Sequence, residues 1–157
     1  MKKFIVLYLV NILLLFILFY WDIFPISDFI NSLQTNFTIY LLKFTLPSNI
    51  LEENKIIITS HYYLVVEKEC NGVIPYLFFV ASIFAFPSTI AHKIKWVLFG
   101  YIGITTINIF RIYLITKLVL QGRDNFSLAH DYIGNYLLIS VSLLLFILFI
   151  KNKSKNG

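Results

Sequence analysis

Three side chains in this sequence carry reactive or costly chemistry at telling positions: Cys70, Arg111 and His130. Cys70 sits in the polar segment Glu69-Cys70-Asn71-Gly72, just before a long apolar run. A thiol at the start of a helix is expected to ionise more readily, because the positive end of the helix dipole stabilises thiolate. Thiolate is the nucleophilic form. The bland alternative is a small, inert hydrophobe. Against it stand the polar setting and the backbone-permissive Asn71-Gly72 that follows.

Arg111 lies inside an apolar run, in Asn108-Ile109-Phe110-Arg111-Ile112. Inserting arginine at the centre of a membrane helix costs about 2.5–3.5 kcal/mol, so such residues usually face the protein interior and mark function. The other reading is a side chain that snorkels to the interface on its long stem. Asn108, three residues earlier, shares its helical face and is placed to orient the guanidinium. His130 opens the last apolar run, in Ser127-Leu128-Ala129-His130-Asp131-Tyr132. With Ser127 as N-cap, His130 falls in the first turn. There the dipole favours neutral imidazole, the form a general base requires. Alone it reads as an ordinary interfacial histidine. Asp131, adjacent in sequence, is a supporting candidate. Together the three supply a nucleophile, a proton carrier and a stabiliser of a developing oxyanion.

The elements that must position them are membrane spans. The chain has 157 residues, of which 59% are hydrophobic and 18% aromatic. A soluble domain of this size lacks the polar surface to cover so much apolar side chain, so lipid is part of the solvent. Four stretches are apolar enough to cross a bilayer: Phe4–Tyr20, Val73–Ala91, Ile94–Leu118 and Tyr132–Ile150. The expectation is an all-α integral membrane protein forming one membrane domain over residues 1–157. Pro75 suits a first helical turn, and Pro87 is expected to kink or fray the far end of its helix. No small-residue cleavage site follows the first span, so it reads as an uncleaved anchor.

Charge sets the orientation. The net charge is +5, and lysines cluster where apolar runs end: Lys2 and Lys3, then Lys93 and Lys95, then Lys151, Lys153 and Lys155. Short basic segments mark the cytoplasmic side. The N- and C-termini are then inside, and Asp22, Asp28, Glu52, Glu53, Glu67, Glu69, Asp124 and Asp131 all fall outside. Lys43, Lys55, Lys68, Lys117 and Arg123 are spread over the longer outer segments.

Between the first two spans, Ile26, Phe29, Ile30, Leu33, Phe37, Tyr40, Leu41 and Phe44 repeat at helical spacing. Asp28, Asn31, Gln34, Asn36 and Lys43 fall largely off that face. An amphipathic helix over about 26–46, lying in the outer interface, fits this pattern. A short β-hairpin over about 55–68 follows, turning at Ser60-His61 and delivering the chain to Cys70. The other two histidines stand apart, His92 among the inner lysines and His61 in the hairpin turn. One thiol leaves no disulfide, no CxxC pair and no thiolate zinc cluster. Neither a metal nor another cofactor is expected.

The motifs Glu-Cys-Asn-Gly (69–72), Asn-Ile-Phe-Arg-Ile (108–112) and Ala-His-Asp-Tyr-Ile-Gly (129–134) resemble those of the exosortase/archaeosortase family of membrane cysteine transpeptidases. The likeness covers about residues 55–150. It implies that Cys70 forms a thioester with exported proteins bearing a C-terminal motif, a helix and a basic tail. His130 would move protons, and Arg111 would stabilise the tetrahedral intermediate or position the thiolate. The acyl group would then pass to a cell-surface acceptor. Members commonly carry Ala-Cys-Ser-Gly and more helices, so Glu69, Asn71 and the short chain are departures. A carboxylate beside the thiol tends to raise its pKa. The runner-up is a non-catalytic membrane partner in surface protein or polysaccharide export. A small anion transporter would need polar stripes that these uniformly apolar spans lack, and no nucleic acid partner is implied.

Overall fold

The computed structural model describes residues 2–21, 24–122 and 124–153. Asp22, Arg123 and Lys155 lie outside these. Helix α1 (Lys2–Phe19) leads, followed by α2 (Pro25–Leu42). A small antiparallel sheet comes next, with strands β1 (Leu51–Glu52), β2 (Lys55–Thr59) and β3 (Tyr62–Val65) in that spatial order. Then come α3 (Val73–Ala85) and α4 (Ile90–Gln121). The last helical run begins as α5 (Asn125–Ser127), widens into a π segment (Leu128–Gly134) and continues as α6 (Asn135–Lys153).

This is an all-α membrane protein carrying a small sheet. Three helical runs are long and apolar enough to cross a bilayer: α1, α4 and the run Asn125–Asn152. The apolar α3 has only 13 residues, about 20 Å of helix against a hydrocarbon core of about 30 Å. It stops where Phe86 turns to extended backbone ahead of Pro87. Proline disfavours helical geometry in the residue before it. Thr89 then caps α4 by accepting the His92 backbone N–H, and the chain sets off again.

The four apolar helices pack with α3 among the others. At the lysine end, Phe4 meets Phe86 and Phe146, and Phe86 meets Phe149. Lys93 donates to the Phe84 carbonyl there. No residue of α1 is fully buried; Leu15 packs against the core, while Ile5, Val6, Leu9, Val10, Leu13 and Leu14 present apolar surface outward, as a lipid-facing helix must.

Helix α2 has the amphipathic pattern expected, with its faces turned in the lipid sense. Ile26, Phe29, Leu33, Phe37 and Tyr40 are exposed, whereas Ser27, Asn31, Gln34 and Thr38 are buried. The two amides of that face, which would be costly in hydrocarbon, find partners inside the protein. Asn31 donates to the carbonyls of Phe19 and Ser27, and Gln34 accepts from the Tyr101 hydroxyl on α4. The helix's last turn joins the sheet and α4 in a core of Ile39, Leu42, Leu46, Ile56, Val66, Ile109 and Ile112. That core fastens the sheet over the end of α4 where Arg111 lies.

The hairpin turns at Ser60-His61, between β2 and β3, with a register irregularity between Ile57 and Thr59. The extra strand β1 pairs Leu51 with Ile56 and Glu52 with Lys55. Leaving β3, the chain makes one 3-10 turn over Lys68–Cys70 and reaches Gly72.

Candidate active site

Cys70 is positioned from three directions. It closes the 3-10 turn, its N–H bonding to the Glu67 carbonyl at 2.9 Å. Its own carbonyl accepts from Asn108 Nδ2 of α4, also at 2.9 Å. Behind it Gly72 adopts φ 85°, the left-handed region that glycine enters without a Cβ penalty. Any Cβ there would also crowd the Asn108 side chain at 3.2 Å. Asn71 turns its amide inward: Oδ1 accepts the Val73 N–H at 2.9 Å and Nδ2 donates to Asn31 Oδ1 at 3.1 Å. One asparagine thus caps α3 and ties it to α2. The departure at position 71 has a local structural reason.

The thiol faces His130, with Sγ 3.9 Å from Nε2. On the other side of the ring, Nδ1 lies 2.9 Å from Asp131 Oδ1, and Asp131 Oδ2 accepts from the Ser127 hydroxyl at 2.9 Å. The imidazole stacks on Phe126, centroids 5.2 Å apart and planes within 15°. A carboxylate on Nδ1 favours the tautomer with its proton there, which leaves the Nε2 lone pair toward the thiol. Ser127 is not the N-cap expected of it. The helix starts earlier, at Asn125, and the Ser127 hydroxyl steadies the carboxylate.

Arg111 does not snorkel. It is 3% exposed, and its Nη1 and Nη2 donate to Asn108 Oδ1 and Asn135 Oδ1, each at 3.4 Å. Nε is buried without a hydrogen-bond partner among the described residues. It abuts Gly134, where a Cβ would come within 2.6 Å of it.

The π segment explains how one helix serves both groups. His130 and Asn135 are five residues apart, as are the buried Ala129 and Gly134. In an α-helix, residues five apart point about 140° away from each other. The i→i+5 winding of a π segment brings such pairs onto one face. His130 then reaches Cys70 while Asn135 and Gly134 meet Arg111. Sequence reasoning missed Asn135 and Gly134 because the helical period assumed was 3.6.

Burial pushes the Cys70 thiol up from its ordinary pKa, opposed by the Arg111 guanidinium and the Glu67 backbone hydrogen bond. The Glu69 and Glu67 carboxylates push it up by smaller amounts. Because α3 starts at Val73, Cys70 stands outside the first turn, and the dipole-assisted thiolate expected from sequence does not arise. Glu69 points outward and takes a hydrogen bond from the Tyr20 hydroxyl at 3.4 Å. Cys70, Arg111 and His130 line one cleft of about 200 Å³, together with Ile56, Tyr62–Val66, Ile112, Ile115 and Phe126. His92 and His61 take no part in that cleft.

Comparison with known families identifies the transmembrane exosortase model, which matches residues 2–148. No curated protein and no solved structure matches the chain.

Proposed function

We propose that this chain, which belongs to the transmembrane exosortase family, is a cysteine transpeptidase that uses Cys70 as nucleophile and His130 as general base and acid. Family membership supports a membrane transpeptidase or sorting role. The observation that carries the residue assignment is the approach of Cys70 Sγ to His130 Nε2 at 3.9 Å, with Nδ1 held by Asp131 at 2.9 Å.

In this reading His130 Nε2 takes the thiol proton as Sγ attacks the scissile carbonyl carbon. The raised thiol pKa gives this base a task, since little thiolate exists at neutral pH without help. Charge builds on the carbonyl oxygen, and the buried Arg111 guanidinium stabilises it in a site of low dielectric. Protonated His130 then hands its proton to the leaving amine, and the C–N bond breaks. A thioester remains on Cys70. An amine acceptor or water attacks it, losing its proton to His130, and the thiol is restored.

The lysine-rich ends of α1, α4 and α6 support an inside location for that end and an extracytoplasmic site at the other. The substrates are exported proteins whose C-terminal motif precedes a transmembrane helix and a basic tail; such a helix can dock in the bilayer and present its motif at this face. The test is processing of such a protein from the same cell in the presence of wild type or Cys70→Ala. A Cys70→Ala chain present in the membrane at wild-type level should leave it uncut. Continued processing would overturn the proposal and favour a non-catalytic export partner.

A further inference from the structure

The cleft beside Cys70 has an unusual wall: five consecutive residues, Tyr62 to Val66, all line it. Side chains of a strand alternate between faces, so five in a row can line a cavity only along the strand's backbone edge. β3 is an outer strand of the sheet. The Val66 N–H bonds to the Asn54 carbonyl, toward β2. In an antiparallel ladder the direction alternates along the strand. Leu64 and Val66 therefore spend their main-chain groups on β2, while Tyr63 and Val65 aim theirs away from it. Among the described residues those outward groups have no backbone partner.

We propose that the polypeptide cleaved at Cys70 binds in extended form, adding a strand to the free edge of β3. The proposal rests on the catalytic reading above and names how that site holds its substrate. The open edge favours a strand over a helix. Unpaired edge groups are a template for an incoming chain. The cleft of about 200 Å³ runs along that edge. Away from Cys70, Arg111 and His130 its walls include Ile56, Leu64, Ile112, Ile115 and Phe126, which select compact apolar side chains. The four residues of β3 span about 13 Å, so the segment gripped is about four residues long, with the scissile bond at the Cys70 end.

The experiment uses the full chain in detergent and an N-capped Ala-Leu-Val-Ala acyloxymethyl ketone, from which a thiolate displaces the carboxylate. A non-peptidic ketone with the same leaving group and iodoacetamide serve as references. The peptide reagent should label Cys70 at least about tenfold faster than the non-peptidic one, the worth of one or two main-chain hydrogen bonds. N-methylation at alternate amides should erase the advantage, and N-methylation at the intervening ones should not. Tyr63→Pro and Val65→Pro should erase it too, since each removes an outward N–H without touching the β2–β3 ladder. Equal rates for the two ketones, or indifference to the methylation pattern, would overturn the strand proposal. The iodoacetamide rates separate the two readings. His130-dependent alkylation without a peptide preference sinks the strand alone. Alkylation indifferent to His130→Gln sinks the catalytic reading, and this proposal with it.

Discussion

The two ends of the helix bundle each hold a histidine stacked on a phenylalanine, and only one of them is built for proton transfer. At the lysine end, His92 stacks on Phe149 with centroids 5.0 Å apart, and its Nε2 lies 3.5 Å from the Phe149 carbonyl. At the sheet end, His130 stacks on Phe126 at 5.2 Å. Its two nitrogens face a thiol and a carboxylate. The rings pack alike; what lies across from each nitrogen differs. A histidine beside a carbonyl and aromatic rings closes a bundle end. A histidine between an acid and a half-buried thiol can move a proton, and an arginine 3% exposed on the same cleft has no counterpart near His92 among the described residues.

The sharpest way to break this comparison is to treat both histidines alike. His130→Gln should lower processing by about 10²–10⁴-fold, the usual range for a general acid–base group. His92→Gln should change processing by less than about twofold and cost about 1–2 kcal/mol of stability, since it removes a half-buried ring from Phe149 and Trp96. Processing assays and thermal unfolding in the same detergent check both. Similar losses at the two sites would erase the distinction.

Smaller effects refine it. Gly134→Ala puts a Cβ against Arg111 Nε, and displacing a catalytic group by about 1 Å can cost about 100-fold. The expected loss is about 10- to 100-fold with unchanged membrane level, read by the same processing assay. The pH dependence of Cys70 alkylation is subtler. Burial raises the thiol pKa while Arg111 lowers it. The inflection should lie above the ordinary thiol range, and Arg111→Met should move it higher still, since the thiolate loses its positive neighbour. An inflection that falls on removing the charge would show that Arg111 does not face the thiol.

Much of this was legible in the residues. Cys70, Arg111 and His130 stood out because each is chemically expensive or exceptional where it lies, and Asn108 followed from helical spacing. The hairpin turn at Ser60-His61 was readable from its β-branched and aromatic arms. Asn135 and Gly134 were hidden by the change of winding over Leu128–Gly134, which no 3.6-residue pattern reveals. The periodicity of α2 was clear, but which face meets the protein depends on the solvent. In lipid, Asn31 and Gln34 gain by turning inward. The position of Cys70 outside the α3 first turn depended on one 3-10 turn, a boundary too fine for sequence patterns.

The most direct measurement is capture of the covalent intermediate. The wild-type chain is mixed with an exported protein carrying the C-terminal signal, quenched in acid and read by mass spectrometry. The account predicts an adduct on Cys70 that hydroxylamine releases, as a thioester requires, and its absence in His130→Gln at the same time points. Cleaved substrate without any adduct on Cys70 would contradict it.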